Sequence, residues 1–124
     1  MKDPRPKYLD LTRIRLPLPA LVSILHRVSG AGLFLFLPFL LYLLHSSLAS
    51  PDSYVHYRAA VQHPLVKLLL IGLLWAFLHH FLAGLRHLAL DMHWGVELQF
   101  ARNTSRAVLA ASLVLTAILG VWLW

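Results

Sequence analysis

Val28-Ser29-Gly30-Ala31-Gly32-Leu33-Phe34-Leu35-Phe36-Leu37-Pro38-Phe39-Leu40-Leu41-Tyr42-Leu43-Leu44 is apolar at every position except Ser29. Pro19 suits a first helical turn, so the run is read as one helix from about Ala20 to Leu48. A hydrocarbon core takes about 20 apolar residues to cross. Two further runs approach or reach that length. Leu65 to Leu90 is led by Pro64 and interrupted by Lys67, His79, His80, Arg86 and His87. Ala107 to Trp124 has no charge, and only Ser112 and Thr116 are polar. The expectation is an all-α integral membrane protein with a leader over 1–19 and a three-helix transmembrane domain over 20–124. Its spans fall at about 20–48, 64–90 and 106–124. Pro38 is tolerated, because neighbouring helices re-satisfy the backbone groups it frees. Ser50-Pro51-Asp52-Ser53 marks the first connection, and Asp91 to Thr104, with Trp94 and Gly95, the second.

Composition supports the same class. The chain has 124 residues, 59 % hydrophobic and 13 % charged, against about 45–50 % and about 25 % in soluble domains. Mean hydropathy is +0.69. A soluble domain this small must clothe a large surface with polar groups, and this chain has too few. A soluble enzyme, a disordered tail and a nucleic-acid module are poor fits. The net charge of +6 is gathered at the chain's start and between the apolar runs, as topology signals are. The chain contains no cysteine, so no disulfide framework or thiolate site follows. The opening, with four prolines and no apolar centre, is not a signal peptide. Lys2, Arg5, Lys7, Arg13 and Arg15 precede the first span. Arg86, Arg102 and Arg106 flank the second connection, whereas the first has Arg58 and Lys67. The N-terminus and second connection should therefore be cytoplasmic, and the first connection and C-terminus on the opposite side.

Ionisable groups inside spans are costly and usually functional. Ser23, His26 and Arg27 lie in the first helix, and His79, His80, Arg86 and His87 in the second. At 1.5 Å per residue, Arg27 is about 10 Å from the cytoplasmic start of its helix. His80 and His87 are about 15 Å and about 5 Å from the cytoplasmic end of theirs. One layer of the membrane thus collects them. His80, Gly84, His87 and Asp91, spaced 4, 3 and 4, form one stripe. An imidazole one turn from a glycine suits a flat cofactor, and neutral histidine is an axial ligand for haem iron. His26, Arg27, Arg86 and His87 are candidates to neutralise haem propionates. Chemistry alone leaves His79 and His80 equivalent as ligands. Each group also has a structural reading: helix–helix hydrogen bonding for a histidine, snorkelling for Arg27 and Arg86, packing for Gly84, backbone bonding for Ser23.

Two strings carry a resemblance. Ser23-Ile24-Leu25-His26-Arg27-Val28-Ser29-Gly30 and His80-Phe81-Leu82-Ala83-Gly84-Leu85-Arg86-His87-Leu88-Ala89-Leu90-Asp91 resemble the cytochrome b membrane-anchor subunit of succinate dehydrogenase, respiratory complex II. The family patterns are Ser-Ile-x-His-Arg-x-(Ser/Thr)-Gly and His-x-x-x-Gly-x-Arg-His-x-x-x-Asp. Arg5-Pro6 through Leu9-Asp10-Leu11 to Ile14-Arg15 and Pro17 looks like the proteobacterial branch.

The resemblance implies one half of a heterodimeric bundle, completed by a second small anchor subunit, that holds one haem b. His80 matches the axial-ligand position, and His26, Arg27 and His87 match the propionate neighbourhood. Ser23 and Arg27 match the ubiquinone pocket, while Gly84, Arg86 and Asp91 lie in the motif as supporting positions. A flavoprotein and an iron–sulfur subunit dock on the cytoplasmic face of the bacterial inner membrane. The resemblance further implies that electrons from succinate pass through them to ubiquinone, and that the anchor alone should oxidise no succinate. Alternatives are the anchor of a related fumarate reductase and a small cofactor-free transporter using the same polar groups as an ion path.

Overall fold

The structure, a computed structural model, describes Asp10 and residues 13–124. Lys2, Arg5 and Lys7, the Arg5-Pro6 string, Leu9 and Leu11 of the leader lie outside the described residues. Every regular element among the described residues is a helix: α1 Leu18–Ala49, α2 Pro51–Gln62, α3 Pro64–Asp91 and α4 Leu98–Leu123. α1, α3 and α4, of 32, 28 and 26 residues, are long and apolar enough to cross a membrane. At 1.5 Å per residue they run about 48, 42 and 39 Å, beyond the hydrocarbon thickness of about 30 Å. α1 starts with Pro19 in its first turn and continues through Pro38.

The first connection differs from expectation, because it is itself a helix, α2. Ser50 ends α1 and caps α2 in one residue. Its side chain accepts the Ser53 N–H at 3.1 Å, and Ser53 Oγ accepts the Ser50 N–H at 3.0 Å. That reciprocal pair, with Pro51 at the first position and Asp52 in the first turn, is a helix start. The same Ser-Pro-Asp-Ser string also suits a turn, which is why the sequence reading stopped at a connection. The second connection is shorter than expected, since α4 resumes at Leu98. His93, at φ 61°, ends α3 in the left-handed region. The Trp94 N–H then reaches Ala89 O and the His93 N–H reaches Leu90 O, both at 2.9 Å, the two bonds of a Schellman cap.

α3 is the central helix, packed against both α1 and α4, and α2 touches α1 and α3. Val22, Ala83 and Val108 make the apolar centre where the three long helices meet, with Leu82 and Leu109 beside it. Much of the remaining interior is hydroxylic. Ser105 and Ser112 are 0 % exposed while Phe34 and Trp122 are 75 % and 79 % exposed. Ser105 and Ser112 satisfy themselves on their own helix, at Ala101 O and Leu109 O. Small residues inside and large apolar residues outside would be unstable in water. In lipid the outside is already solvated, and small interior residues let helices approach closely. Lys67 Nζ stands 5.8 Å over the Trp124 ring, a cation–π contact that joins the start of α3 to the chain's end.

A histidine cluster between α1 and α3 as candidate functional site

On α1, Val22, His26 and Ser29 share a helical face, spaced 4 and 3. Opposite them on α3 lie His80, Gly84 and His87. The His26 ring lies flat on His80, with centroids 4.2 Å apart and planes 5° from parallel. His87 approaches His26 at 5.0 Å, tilted by 55°. Two glycines allow this closeness. A Cβ at Gly30 would stand 2.7 Å from His80 Cε1, and one at Gly84 would stand 3.6 Å from His26 Nε2. The open strip expected beside Gly84 is therefore taken by the His26 ring.

The hydrogen bonds of His80 decide its tautomer. Nδ1 is 2.9 Å from the His26 carbonyl oxygen and 3.3 Å from Ser29 Oγ. A carbonyl can only accept, so Nδ1 carries the proton. The lone pair is left on Nε2, which bonds no described residue and is not enclosed by them. His79, one residue earlier, turns about 100° away and is fully buried. Among the described residues, neither of its buried ring nitrogens nor Trp75 Nε1 beside it has a well-aligned hydrogen-bond partner, although the Val22 backbone on α1 lies close to the His79 ring. The Trp75 and His79 rings stack at 5.3 Å.

The remaining positions separate into those near the cluster and those away from it. Arg86 does not join the histidines. It is buried against α4, where Nε donates to Thr104 Oγ1 at 3.1 Å and Nη2 to Ala101 O at 3.3 Å. Asp91 is exposed at the last residue of α3, one turn beyond His87. Ser23 and Arg27, four apart, share the face next to the Val22–His26–Ser29 stripe. Ser23 is half-buried and Arg27 exposed, and neither bonds another described residue. Among the described residues, no three His, Asp or Glu side chains converge to hold a metal ion by themselves. Ser29 and Gly30 belong to the string that carried the resemblance, yet no role was assigned to them. Their signal was their position three and four residues after His26, on the face toward α3.

These features define a multi-pass helical membrane protein with a stacked histidine cluster near one end of its bundle. The chain matches the succinate dehydrogenase/fumarate reductase transmembrane subunit family over residues 1–119, and it belongs to that family. It is 38 % identical to the succinate dehydrogenase cytochrome b556 subunit of Coxiella burnetii, over 100 % of both chains. It is 35 % identical to the subunit of that name from Paracoccus denitrificans, over 92 % of this chain and 88 % of the relative. The corresponding Rickettsia typhi protein is 29 % identical, over 94 % and 91 %. The resemblance drawn from the two strings is thereby borne out.

Proposed function

We propose that the chain is the cytochrome b anchor of a succinate:ubiquinone oxidoreductase, with His80 the axial ligand of a haem b shared with a second small anchor subunit. The observation that carries this is the His80 Nδ1–H on the His26 carbonyl, at 2.9 Å. Metal-bound histidines almost always donate their other ring N–H to such an acceptor, which fixes the ring and leaves the lone pair for the metal. The donor chemistry therefore fits haem iron at His80. It does not fit at His79, whose two nitrogens are both enclosed. The relatives' designation as cytochrome b556 subunits supports the same group. His80 would be the histidine that this chain offers to the iron, and the second anchor subunit would supply the other.

When bound, haem b supplies a one-electron carrier next to the quinone site. The chain's own residues bind, orient and place charge. His26, stacked on His80, and His87, tilted against His26, would donate to the propionates, and Arg27 would add a cation on the adjoining face. Ser23 donates a hydrogen bond to a ubiquinone carbonyl oxygen. Arg27 holds positive charge near the same oxygens, where negative charge builds as electrons arrive. Reduction to quinol takes two electrons, delivered through the iron–sulfur subunit from the flavoprotein, and two protons. Those subunits dock at the cytoplasmic end, where α1 starts and α3 meets α4. The positive charges at that end set the N-terminus in the cytoplasm and the C-terminus in the periplasm of the bacterial inner membrane. Gly84 lets His26 seat, while Arg86 ties the end of α3 that carries His87 to α4.

A reduced-minus-oxidised optical spectrum of the assembled complex tests the reading, with wild type beside His80→Leu and His79→Leu. A low-spin b-type signal in wild type and His79→Leu, lost in His80→Leu, is expected. A full signal in His80→Leu, or none in wild type, would overturn it.

A further inference from the structure

We infer that Ser29 is a positioning residue for the His80 imidazole, holding its tautomer and rotation through a closed triangle of hydrogen bonds. The inference rests on His80 being the haem ligand, and deepens that reading. Ser29 Oγ donates to the His26 carbonyl at 2.9 Å. The same carbonyl accepts the His80 Nδ1–H at 2.9 Å, and the same Nδ1 lies 3.3 Å from Ser29 Oγ. The directions are mutually consistent in one arrangement only. The Ser29 hydroxyl hydrogen points to the carbonyl, so its lone pairs face Nδ1–H, and the imidazole donates to both oxygens.

A 180° turn of the ring would set Cδ2 against two oxygens and forfeit both contacts. With one acceptor the turn would forfeit one. Protonation on Nε2 instead would leave the Nδ1 lone pair facing the carbonyl oxygen, so the triangle also excludes that tautomer. Water is poorly placed to replace the hydroxyl, since Ser29 is 5 % exposed. Gly30, next in the chain, leaves the space into which the ring edge fits. The helix therefore presents acceptor, hydroxyl and gap at His26, Ser29 and Gly30, within five residues.

Loss of a group that orients a metal-bound histidine typically weakens metal binding by about 10–100-fold. The test uses the assembled complex with Ser29→Ala, Ser29→Thr and Ser29→Cys, at matched protein concentration. Readouts are the haem-to-protein ratio through detergent washing and the line width of the low-spin paramagnetic resonance signal. Ser29→Ala is expected to lose haem about 10–100-fold more readily and to broaden the signal as ring orientations multiply. Ser29→Thr keeps the hydroxyl and should behave as wild type. Ser29→Cys fills the site with only a weak donor and should follow Ser29→Ala, which separates the hydroxyl from packing. It also carries the test if Ser29→Ala fails to assemble. Wild-type haem retention and line width in Ser29→Ala or Ser29→Cys would overturn the proposal. So would equal losses in Ser29→Thr. Failure of the ligand reading looks different: His80→Leu would then keep the signal that wild type shows.

Discussion

Gly30→Ala places a methyl group where α1 and α3 come closest, and its effect can be worked from distances. The new Cβ would stand 2.7 Å from His80 Cε1 and 3.2 Å from Nδ1. Ordinary carbon contacts begin near about 3.4–4.0 Å, so the ring edge must retreat by at least about 0.7 Å. The retreat is away from α1, and the carbonyl that holds Nδ1 is also on α1. The 2.9 Å bond to His26 O then lengthens toward about 3.6 Å, where a hydrogen bond is lost. Overpacking costs about 1–3 kcal/mol, and the lost bond about 0.5–1.5 kcal/mol. Alanine's better helix propensity returns about 1 kcal/mol. The net expectation is destabilisation by about 0.5–3.5 kcal/mol, together with easier loss of haem from the assembled complex. Gly32→Ala is the internal control, because a Cβ there meets nothing within 4 Å. The assay is thermal unfolding of the purified complex alongside its haem-to-protein ratio, for both variants. If Gly30→Ala matches Gly32→Ala in both measurements, the close approach of His80 to α1 is wrong.

Arg86→Lys is expected to destabilise the complex more than Arg86→Leu. Thr104 Oγ1 and Ala101 O keep other bonds when the guanidinium is removed, so leucine costs about 1–2 kcal/mol, whereas lysine retains a buried charge without the two-point fork; equal unfolding midpoints would refute this. His79→Leu should raise the unfolding midpoint, since at least one of its buried ring nitrogens has no well-aligned partner among the described residues, at about 1–3 kcal/mol of desolvation; a lower midpoint would show that both nitrogens are satisfied in the assembled protein. Ser23→Ala and Arg27→Ala are expected to slow ubiquinone reduction at least about 10-fold, as loss of an electrostatic stabiliser does, and to leave dye-coupled succinate oxidation unchanged. Wild-type quinone kinetics in both variants would remove them from the quinone pocket.

Much of the candidate site was legible because its residues are chemically out of place. A histidine, an arginine or a serine in an apolar run stands out against the solvation cost it carries, which singled out Ser23, His26, Arg27, His80 and His87. Ser29 and Gly30 were harder. Neither is expensive in a membrane helix, and their importance lies in what they touch on α3. Arg86, a basic group in the same layer of the membrane, is a propionate candidate by sequence, yet it bonds α4. The Ser50-Pro51-Asp52-Ser53 string marks a connection in the sequence, and turn and helix-start chemistry use the same residues. Only the reciprocal bonds of Ser50 and Ser53 resolve it.

The sequence by itself determined the class and the number of crossings, because crossing a hydrocarbon core depends on run length and composition alone. It also determined the family, through two strings of chemically specific spacing. Which way each side chain faces was left to the tertiary structure. In a soluble helix a polar face marks the outside, but these spans are apolar around most of their circumference and carry no such mark. Successive residues differ by about 100°, so His79 in the interior and His80 against α1 are indistinguishable until the helices pack. Packing alone then set the proton on His80 Nδ1, by bringing the His26 carbonyl and the Ser29 hydroxyl to it.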